Sequence, residues 1–302
     1  MILIGENIHI ISKQVREALE KKDDIFIKNL IKIQQNMDAI DLNVGPAKGK
    51  FDKIFEWLCP MLKGKNISFD SSNSDAIIQG LNLVDNSENC YVNSISSDME
   101  KFDILVPEII KHNCNVIALA LSSSGIPHTA DGRIEIIFEI FEKCCEAGVS
   151  NDKLFFDPLV LPLKVDQSQG IEVLNTIRMI KESFEPKVNT IIGLSNISNG
   201  IDVSLRPQVN RVFAAMCFGA GLDAAIVDAK DSELARIIDV LENNSPESDI
   251  DKLYVDISEM VKNFGDLEDI TFDKTDIKSQ NIIKTAEVLM NKKLYSDSFT
   301  QV

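Results

Sequence analysis

Ala39-Ile40-Asp41-Leu42-Asn43-Val44-Gly45-Pro46 runs almost wholly apolar and then breaks on amide, glycine and proline. A strand with one wet face alternates strictly. A run this apolar reads instead as a strand covered on both faces in a parallel sheet, followed by a turn. Seven other stretches have the same form: Ile2–Ile4, Asn66–Asp70, Cys90–Asn93, Asn115–Leu121, Leu154–Asp157, Thr190–Leu194 and Asp223–Val227. The eight begin at residues 2, 39, 66, 90, 115, 154, 190 and 223, spaced by 37, 27, 24, 25, 39, 36 and 33 residues. Every gap has room for a loop, a helix and a returning loop. Helical patterns fall in those gaps, at Asp24–Asn36, Phe51–Leu62, Asp75–Leu83, Lys101–His112, Ile134–Ala147, Ile171–Phe184 and Pro207–Phe218. Eight β-α units predict an α/β chain folded as a (β/α)8 TIM barrel. The competing architecture is a doubly wound open sheet. It usually carries a glycine-rich phosphate turn after its first strand, and Gly5-Glu6-Asn7-Ile8-His9 is no such turn.

One stretch breaks the repeat. Asp239–Asp276 holds twelve acidic residues and three lysines in 38 positions, a net of −9. Asn243-Asn244-Ser245-Pro246 suggests a turn. Ile250, Leu253, Tyr254, Ile257, Met260, Val261 and Phe264 then trace an amphipathic helix stopped by Gly265, with Ser248 and Asp251 at capping-box spacing. The segment is expected as an acidic, partly helical insertion (residues 239–276) after strand eight, ahead of a last helix near Ile282–Met290. A solvated or packed surface excursion is its default reading, with partner docking the sharper one.

Composition narrows the rest. Of 302 residues, 44% are apolar and 26% charged, and 47 acidic side chains against 31 basic ones give a net charge of −16. A nucleic-acid or anionic-membrane binder needs a basic face, so neither partner is expected. The longest uncharged apolar run, Val212–Leu222, has eleven residues with two glycines, too short to span a bilayer. The first residues lack the basic region of a signal peptide, and six cysteines occur without a CxxC pair. Reduced thiols in a cytoplasmic protein are expected. Cys144-Cys145 falls on a helical pattern and reads as packing.

In a barrel of this kind chemistry sits where the strands end. The strand ends here carry Glu6-Asn7, Asp41 and Asn43, Asp70-Ser71-Ser72-Asn73, Asn93-Ser94, Ser122–Pro127, Asp157-Pro158, Ser195-Asn196 with Ser198-Asn199, and Asp228. Carboxylate, amide and hydroxyl dominate. No HxH or HExxH pattern occurs, so no bound metal is expected. No Ser–His–Asp set and no glycine-rich basic phosphate loop can be assembled either. What remains suits a neutral planar heterocycle rich in donors and acceptors, because carboxylates accept paired N–H groups and amides serve either sense. Each residue alone has a plainer reading. Asp70 could cap a helix, Asp157 could end a strand before Pro158, Asn196 and Asn199 could form a turn, and Asp41 and Asn43 could brace loops. Their succession at strand after strand favours a site.

These residues resemble a family. Asp41-Leu-Asn-Val-Gly-Pro46, Asp70-Ser-Ser-Asn73, Asn93-Ser94, Asp157-Pro-Leu-Val-Leu-Pro162, Gly193-Leu-Ser-Asn-Ile-Ser198 and Leu222-Asp-Ala-Ala-Ile-Val-Asp-Ala229 are similar to the motifs of pterin-binding methyltransferases, specifically the methyltetrahydrofolate:corrinoid protein methyltransferases. The likeness runs from Met1 to about Leu234 and resumes from about Ile282 to Phe299, ending on Tyr295-Ser-Asp-Ser-Phe299. It implies a single pterin-binding barrel domain over residues 1–302, a homodimer, and transfer of the N5-methyl group between methyltetrahydrofolate and the cob(I)amide of a separate corrinoid protein. It also implies that tetrahydrofolate serves as a substrate and that the cobalamin is carried by the partner. By the same resemblance Asp70, Asn93 and Asp157 hold the pterin ring, and Asn196 reaches N5. Gly193, Ser195, Asn199 and Ile226 are neighbouring contacts, Arg206 a loop arginine, and Asn196 with Asp157 the catalytic pair.

The chain departs from the family at its first strand, where Gly-Glu-Arg-Ile-Asn is replaced by Gly5-Glu6-Asn7-Ile8-His9. The Ser122–His128 loop lacks a lysine that relatives often have. Two other readings stand beside the first. A dihydropteroate synthase shares the pterin barrel, but it expels pyrophosphate and wants Ser-x-Lys and Arg-x-His near strands seven and eight, whereas here strand eight runs into Asp228-Ala229-Lys230. A non-catalytic folate-binding or scaffolding subunit is the other, and Asn196 argues against it.

Overall fold

The computed structural model describes residues 1–300. Eight parallel strands close in sequence order into a barrel: β1 (Ile2–His9), β2 (Ala39–Asn43), β3 (Asn66–Asp70), β4 (Tyr91–Ile95), β5 (Asn115–Leu119), β6 (Leu154–Asp157), β7 (Asn189–Gly193) and β8 (Ala224–Val227), with β8 returning to β1. The helices of the outer ring are α1 (Lys13–Lys21), α2 (Asp24–Ile33), α3 (Ile54–Leu58), α4 (Ser74–Asn82), α5 (Met99–His112), α6 (Ala130–Ala147), α7 (Gln169–Ser183), α8 (Arg206–Ala220) and α9 (Ser232–Asn243). They are followed by α10 (Asp249–Lys262) and α11 (Ile277–Leu289). This is the (β/α)8 architecture that the strand spacing predicts.

The strands read as apolar runs, yet each sorts its residues by parity. Outward positions join the helices in two large apolar clusters. One runs from Ile8 to Val188, and the other from Leu3 and Val160 to Phe299. Inward positions form a third, smaller cluster of Ile4, Ala39, Tyr91, Ile117, Phe155, Ile191 and Ala224, in which the Tyr91 and Phe155 rings meet edge to face at 5.3 Å. Two residues further along β1, β2, β4 and β6 the inward positions turn polar, at Glu6, Asp41, Asn93 and Asp157; Asp70 is the register partner of Asn93, and Asp228 follows in the same phase four residues after Ala224. The barrel is therefore plugged with hydrocarbon below and lined with hydrogen-bonding groups above.

Local departures from expectation have local causes. The helix expected over Phe51–Leu62 is broken into a 3-10 turn (Gly49–Phe51), the short α3, and a second 3-10 turn (Cys59–Leu62). Lys53 stands at a φ of 53° before α3, and Pro60 denies a backbone donor after it. The segment between β1 and β2 folds as two helices, with Asp23 capping α2 through Phe26 N–H at 3.0 Å. The helix after β8 is α9, which already contains Asp239, and the last helix begins at Ile277.

The acidic segment lies on the barrel's flank. Helix α10 packs against α8 and α9, burying Leu253, Tyr254, Ile257, Met260 and Val261 in the second apolar cluster. Ser248 caps it, accepting Asp251 N–H at 3.1 Å, while the Asp251 carboxylate accepts from Glu247 N–H and from Arg236 of α9 at 2.6 Å. At its far end Arg178 of α7 lies 4.4 Å from the Phe264 ring centroid and donates to the Val261 carbonyl. Its acidic face looks outward and its apolar face completes the core.

Candidate functional site

Strand β1 sets the first wall. Its pairing with β2 slips between Gly5 and Ile8, so that three residue steps on β1 face two on β2, a β-bulge. The extra residue breaks the parity rule and lets the consecutive side chains of Glu6 and Asn7 both line one cleft. The bulge is held by the fully buried Gln34 at the end of α2, whose Oε1 accepts the Asn7 backbone N–H at 3.1 Å. A Cβ on Gly5 would collide with that same Oε1, so only glycine lets the amide in. Asn7 then ties β1 to β8: its Nδ2 donates to Asp228 at 2.5 Å and its Oδ1 accepts Ala229 N–H at 3.0 Å.

The second wall is the 3-10 turn Leu194–Ser198 after β7. Ser195 Oγ donates to Glu6 Oε1 at 2.5 Å, so the turn is bonded to the bulge. Asn196 is exposed to the cleft, and its Oδ1 accepts from Asn199 Nδ2 at 3.3 Å. A Cβ on Gly193 would stand 3.0 Å from Asn196 Nδ2, so the bare glycine leaves that amide its place. Arg206, at the start of α8, donates to the Ile201 carbonyl at 2.8 Å and borders the same cleft. The cleft holds about 500 Å³ and is bounded by Glu6, Asn7, Ser195, Asn196, Asn199, Arg206 and Asp228, among others.

A second group sits across β2, β3 and β4. Asn43, Asp70 and Asn93 are register partners, side by side on three strands. Asn43 Nδ2 donates to Asp70 Oδ2 at 2.5 Å; Ser68 Oγ and Asn93 Nδ2 donate to Asp41 Oδ1 at 2.6 and 3.2 Å. The cap of α4 is Asn73, which accepts Asp75 N–H at 3.2 Å, so Asp70 is not spent on capping. Burial and the Asp70 charge push the Asp41 carboxyl well above the usual carboxylate range. Burial likewise lifts Asp70 to about 6, while the Asn43 amide and the ammonium of Lys101 pull it back. Lys101, in the first turn of α5, donates to the Ser71 carbonyl at 3.2 Å.

Asp157 stands apart at the end of β6. Only 8% exposed, it accepts Leu159 N–H on Oδ1 at 2.7 Å, and Oδ2 makes no hydrogen bond to another described residue. Burial raises it to about 7, against the opposing pull of the Leu159 amide and of Arg133. Arg133 of α6 is fully buried, donates to the Pro127 carbonyl at 3.1 Å and bonds Gln169 of α7. It lashes together the loops after β5 and β6.

The residues singled out from sequence are therefore gathered on one rim in three groups. Ser195, Asn196, Asn199 and Arg206 share the cleft, Asp70 and Asn93 share the β3–β4 network, and Asp157 faces the barrel mouth from β6. Gly193 and Ile226 are register partners on β7 and β8, beneath the turn. Glu6, Asn7, Asp41, Asn43 and Asp228 belong to the same rim; the inward parity of strands marks Glu6, Asp41, Asn43 and Asp228, whereas Asn7 depends on the bulge. Arg133 carried no sequence signal, lying inside an ordinary helical pattern. No cluster of three or more His, Cys, Asp or Glu able to hold a metal ion occurs among the described residues, and no described helix is long and apolar enough to cross a membrane.

An eight-stranded barrel with a hydrocarbon plug here carries, on the rim where such barrels hold their chemistry, carboxylates and amides of the kind that suit a small, donor-rich ring. The pattern of the pterin binding enzyme family matches residues 36–228, and the chain belongs to that family. Among curated proteins it is 25% identical over 235 residues to the methylcorrinoid:tetrahydrofolate methyltransferase of Eubacterium limosum, covering 76% of this chain and 85% of that one. It is 30% identical over 173 residues to the methionine synthase of Mycobacterium tuberculosis, covering 54% of this chain but only 14% of that much longer protein. Among solved structures, a dihydropteroate synthase from Clostridium difficile superposes with a TM-score of 0.58 at 19% identity, over 80% of this chain and 96% of that one. The dihydropteroate synthase of Yersinia pestis gives 0.53 at 14% identity, over 80% and 94%. These two likenesses concern the fold.

Proposed function

We propose that this enzyme moves the N5-methyl group between methyltetrahydrofolate and the cob(I)amide of a separate corrinoid protein. The observation that carries the reading is the rim itself. Asp70, Asn93 and Asp157 offer carboxylate and amide groups from three strands around an apolar floor, with the Asn196 amide on the turn opposite. A pterin edge presents adjacent N–H donors, which a carboxylate accepts in pairs. In this reading Asp157 takes that edge on its unoccupied oxygen, Asp70 and Asn93 bond the rest of the ring, and Ile226 and Gly193 lie under it. Ser195, Asn199 and Arg206 border the ring or its tail.

An N5-methyl tertiary amine is a poor donor, because its leaving group is an unstabilised amide anion. A proton or a strong hydrogen bond must develop at N5 as the cobalt attacks. Asn196 suits that change, since it can accept from a protonated nitrogen through Oδ1 or donate to a neutral one through Nδ2. Residues 1–302 act in this proposal as one barrel domain, with 239–276 as a packed outer layer. A cytoplasmic homodimer that works with a corrinoid protein, and with neither nucleic acid nor membrane, completes it.

The test mixes the purified chain with methyltetrahydrofolate and cob(I)alamin and follows the loss of the Co(I) absorbance. Transfer is expected, and Asn196→Ala should slow it by more than it weakens folate binding, because that bond strengthens only as charge develops. Tight folate binding without any transfer to cobalamin or a corrinoid protein would replace the reading with a folate-binding subunit.

A further inference from the structure

The proposed chemistry needs a proton at the departing nitrogen, and Asn196 cannot supply it: an amide redirects a hydrogen bond but has no acidic proton near neutral pH. Asp157 faces the mouth from β6 and does not border the cleft that Asn196 lines. That cleft has two carboxyl groups, Glu6 and Asp228. Asp228 Oδ1 already accepts from Asn7 Nδ2 and from Lys230 N–H, at 2.5 and 3.0 Å. Glu6 is different. Two residues beyond the inward Ile4 it lines the cleft, and one hydroxyl, Ser195 Oγ, reaches it from the residue next to Asn196.

Resting on the methyl-transfer reading above, we propose that Glu6 is the proton donor of this site, giving its carboxyl proton to the amine nitrogen held at Asn196, with Ser195 fixing its orientation. The step balances. The N–CH3 bond breaks with its electron pair left on nitrogen, and the methyl group bonds to the cob(I) centre, whose electron pair forms the new bond. The nitrogen takes the proton of Glu6, which is left as a carboxylate and is recharged from water through the open cleft. The surroundings favour a stored proton. Burial pushes the Glu6 carboxyl up to about 7, the Ser195 bond draws it down, and the negative charges of Asp228 on the β8 side and Asp41 on β2 push it up again. Arg206, Lys230 and His9 are the cationic or titratable groups that border the same cleft.

The experiment measures single-turnover methyl transfer to free cob(I)alamin between about pH 5.5 and 8.5, with folate affinity taken separately by calorimetry. Wild-type transfer should fall as pH rises through about 7, the point at which Glu6 loses its proton. Glu6→Gln keeps the shape and a bond to Ser195, so folding and affinity should hold within about threefold, while the rate falls about a hundredfold and loses its inflection. Ser195→Ala removes the bond that draws the carboxyl down, so its inflection should move to higher pH. Glu6→Asp should restore part of the rate with the inflection. Glu6→Gln transferring at near wild-type rate, keeping the inflection, or losing affinity as much as rate would each overturn the assignment. A wild-type chain that transfers no methyl group at all would instead sink the functional reading on which it rests.

Discussion

Asp157 illustrates how much a single position can be asked to do. Its buried carboxyl has one oxygen committed to Leu159 N–H and one left over. If that second oxygen takes the pterin edge, Asp157→Asn sets a donor against a donor, and the lost charge-assisted pair should weaken methyltetrahydrofolate binding by about 2–3 kcal/mol. Calorimetry on the folded variant checks this, and unchanged affinity would remove Asp157 from the site. The rim also leaves a signature without ligand. Glu6, Asp70 and Asp157 hold their protons to about 7, 6 and 7, above the ordinary carboxylate range that the unfolded chain shows. Between about pH 4 and 7 the native state therefore binds more protons than the unfolded one, and stability falls as pH rises across that window, the reverse of a salt-bridged carboxylate. Urea midpoints of the ligand-free protein should decline from pH 5 to about 7.5, and Asp157→Asn should flatten the decline. A rising curve in the wild type would mean that the rim carboxyls are ionised throughout.

At the scale of elements, strand existence and order were legible because apolar runs bounded by polar residues persist through all eight repeats. The rim was legible in part. Asp70, Asn93, Asp157 and Asn196 stand at strand ends or in the turn just beyond, where a barrel concentrates its chemistry. The β1 bulge was not legible: it depends on Gln34, a polar residue 27 positions beyond Asn7 with nothing in its own pattern to mark it as buried. Nor was the fracture of α3, because an amphipathic pattern continues straight through Lys53 and Pro60. The bulge makes a specific demand. Gln34→Ala leaves the Asn7 N–H without its acceptor and opens space beside Gly5, so it should cost about 1–3 kcal/mol of stability. Chemical denaturation measures that loss. Near-neutral behaviour would show that water replaces the Gln34 amide and that the bulge stands without it.

For the whole molecule, the acidic segment belongs to the packing. Charge density alone suggests a loose excursion, but Ile257 is fully buried where α10 meets α8, and Asp251 is nearly so beside Arg236. Ile257→Ala should cost about 2–5 kcal/mol, as a truncation in any well-packed core does. Thermal unfolding of the variant tests it, and an unchanged transition would return the segment to the status of an appendage.

The outer hydrocarbon is not one continuous body. The first cluster ends near Val188, the second begins at Val160 with Leu3 closing the circle, and the two overlap in sequence from the loop after β6 through α7 to Val188. A circular sheet held from outside by two separate clamps has two seams. Cooperativity need not cross a seam, because a loss of side-chain order on one side removes few contacts from the other. Amide hydrogen exchange at low denaturant should accordingly resolve two protection levels, with α8, α9, α10 and α11 opening together and β2 to β5 with their helices opening together. The Glu6–Ser195 bond, which joins β1 to the turn after β7, bridges one of those seams. Ligand seated on the rim would span it too, so folate should raise the protection of both halves toward a common value, making the substrate a fastener as well as a reactant.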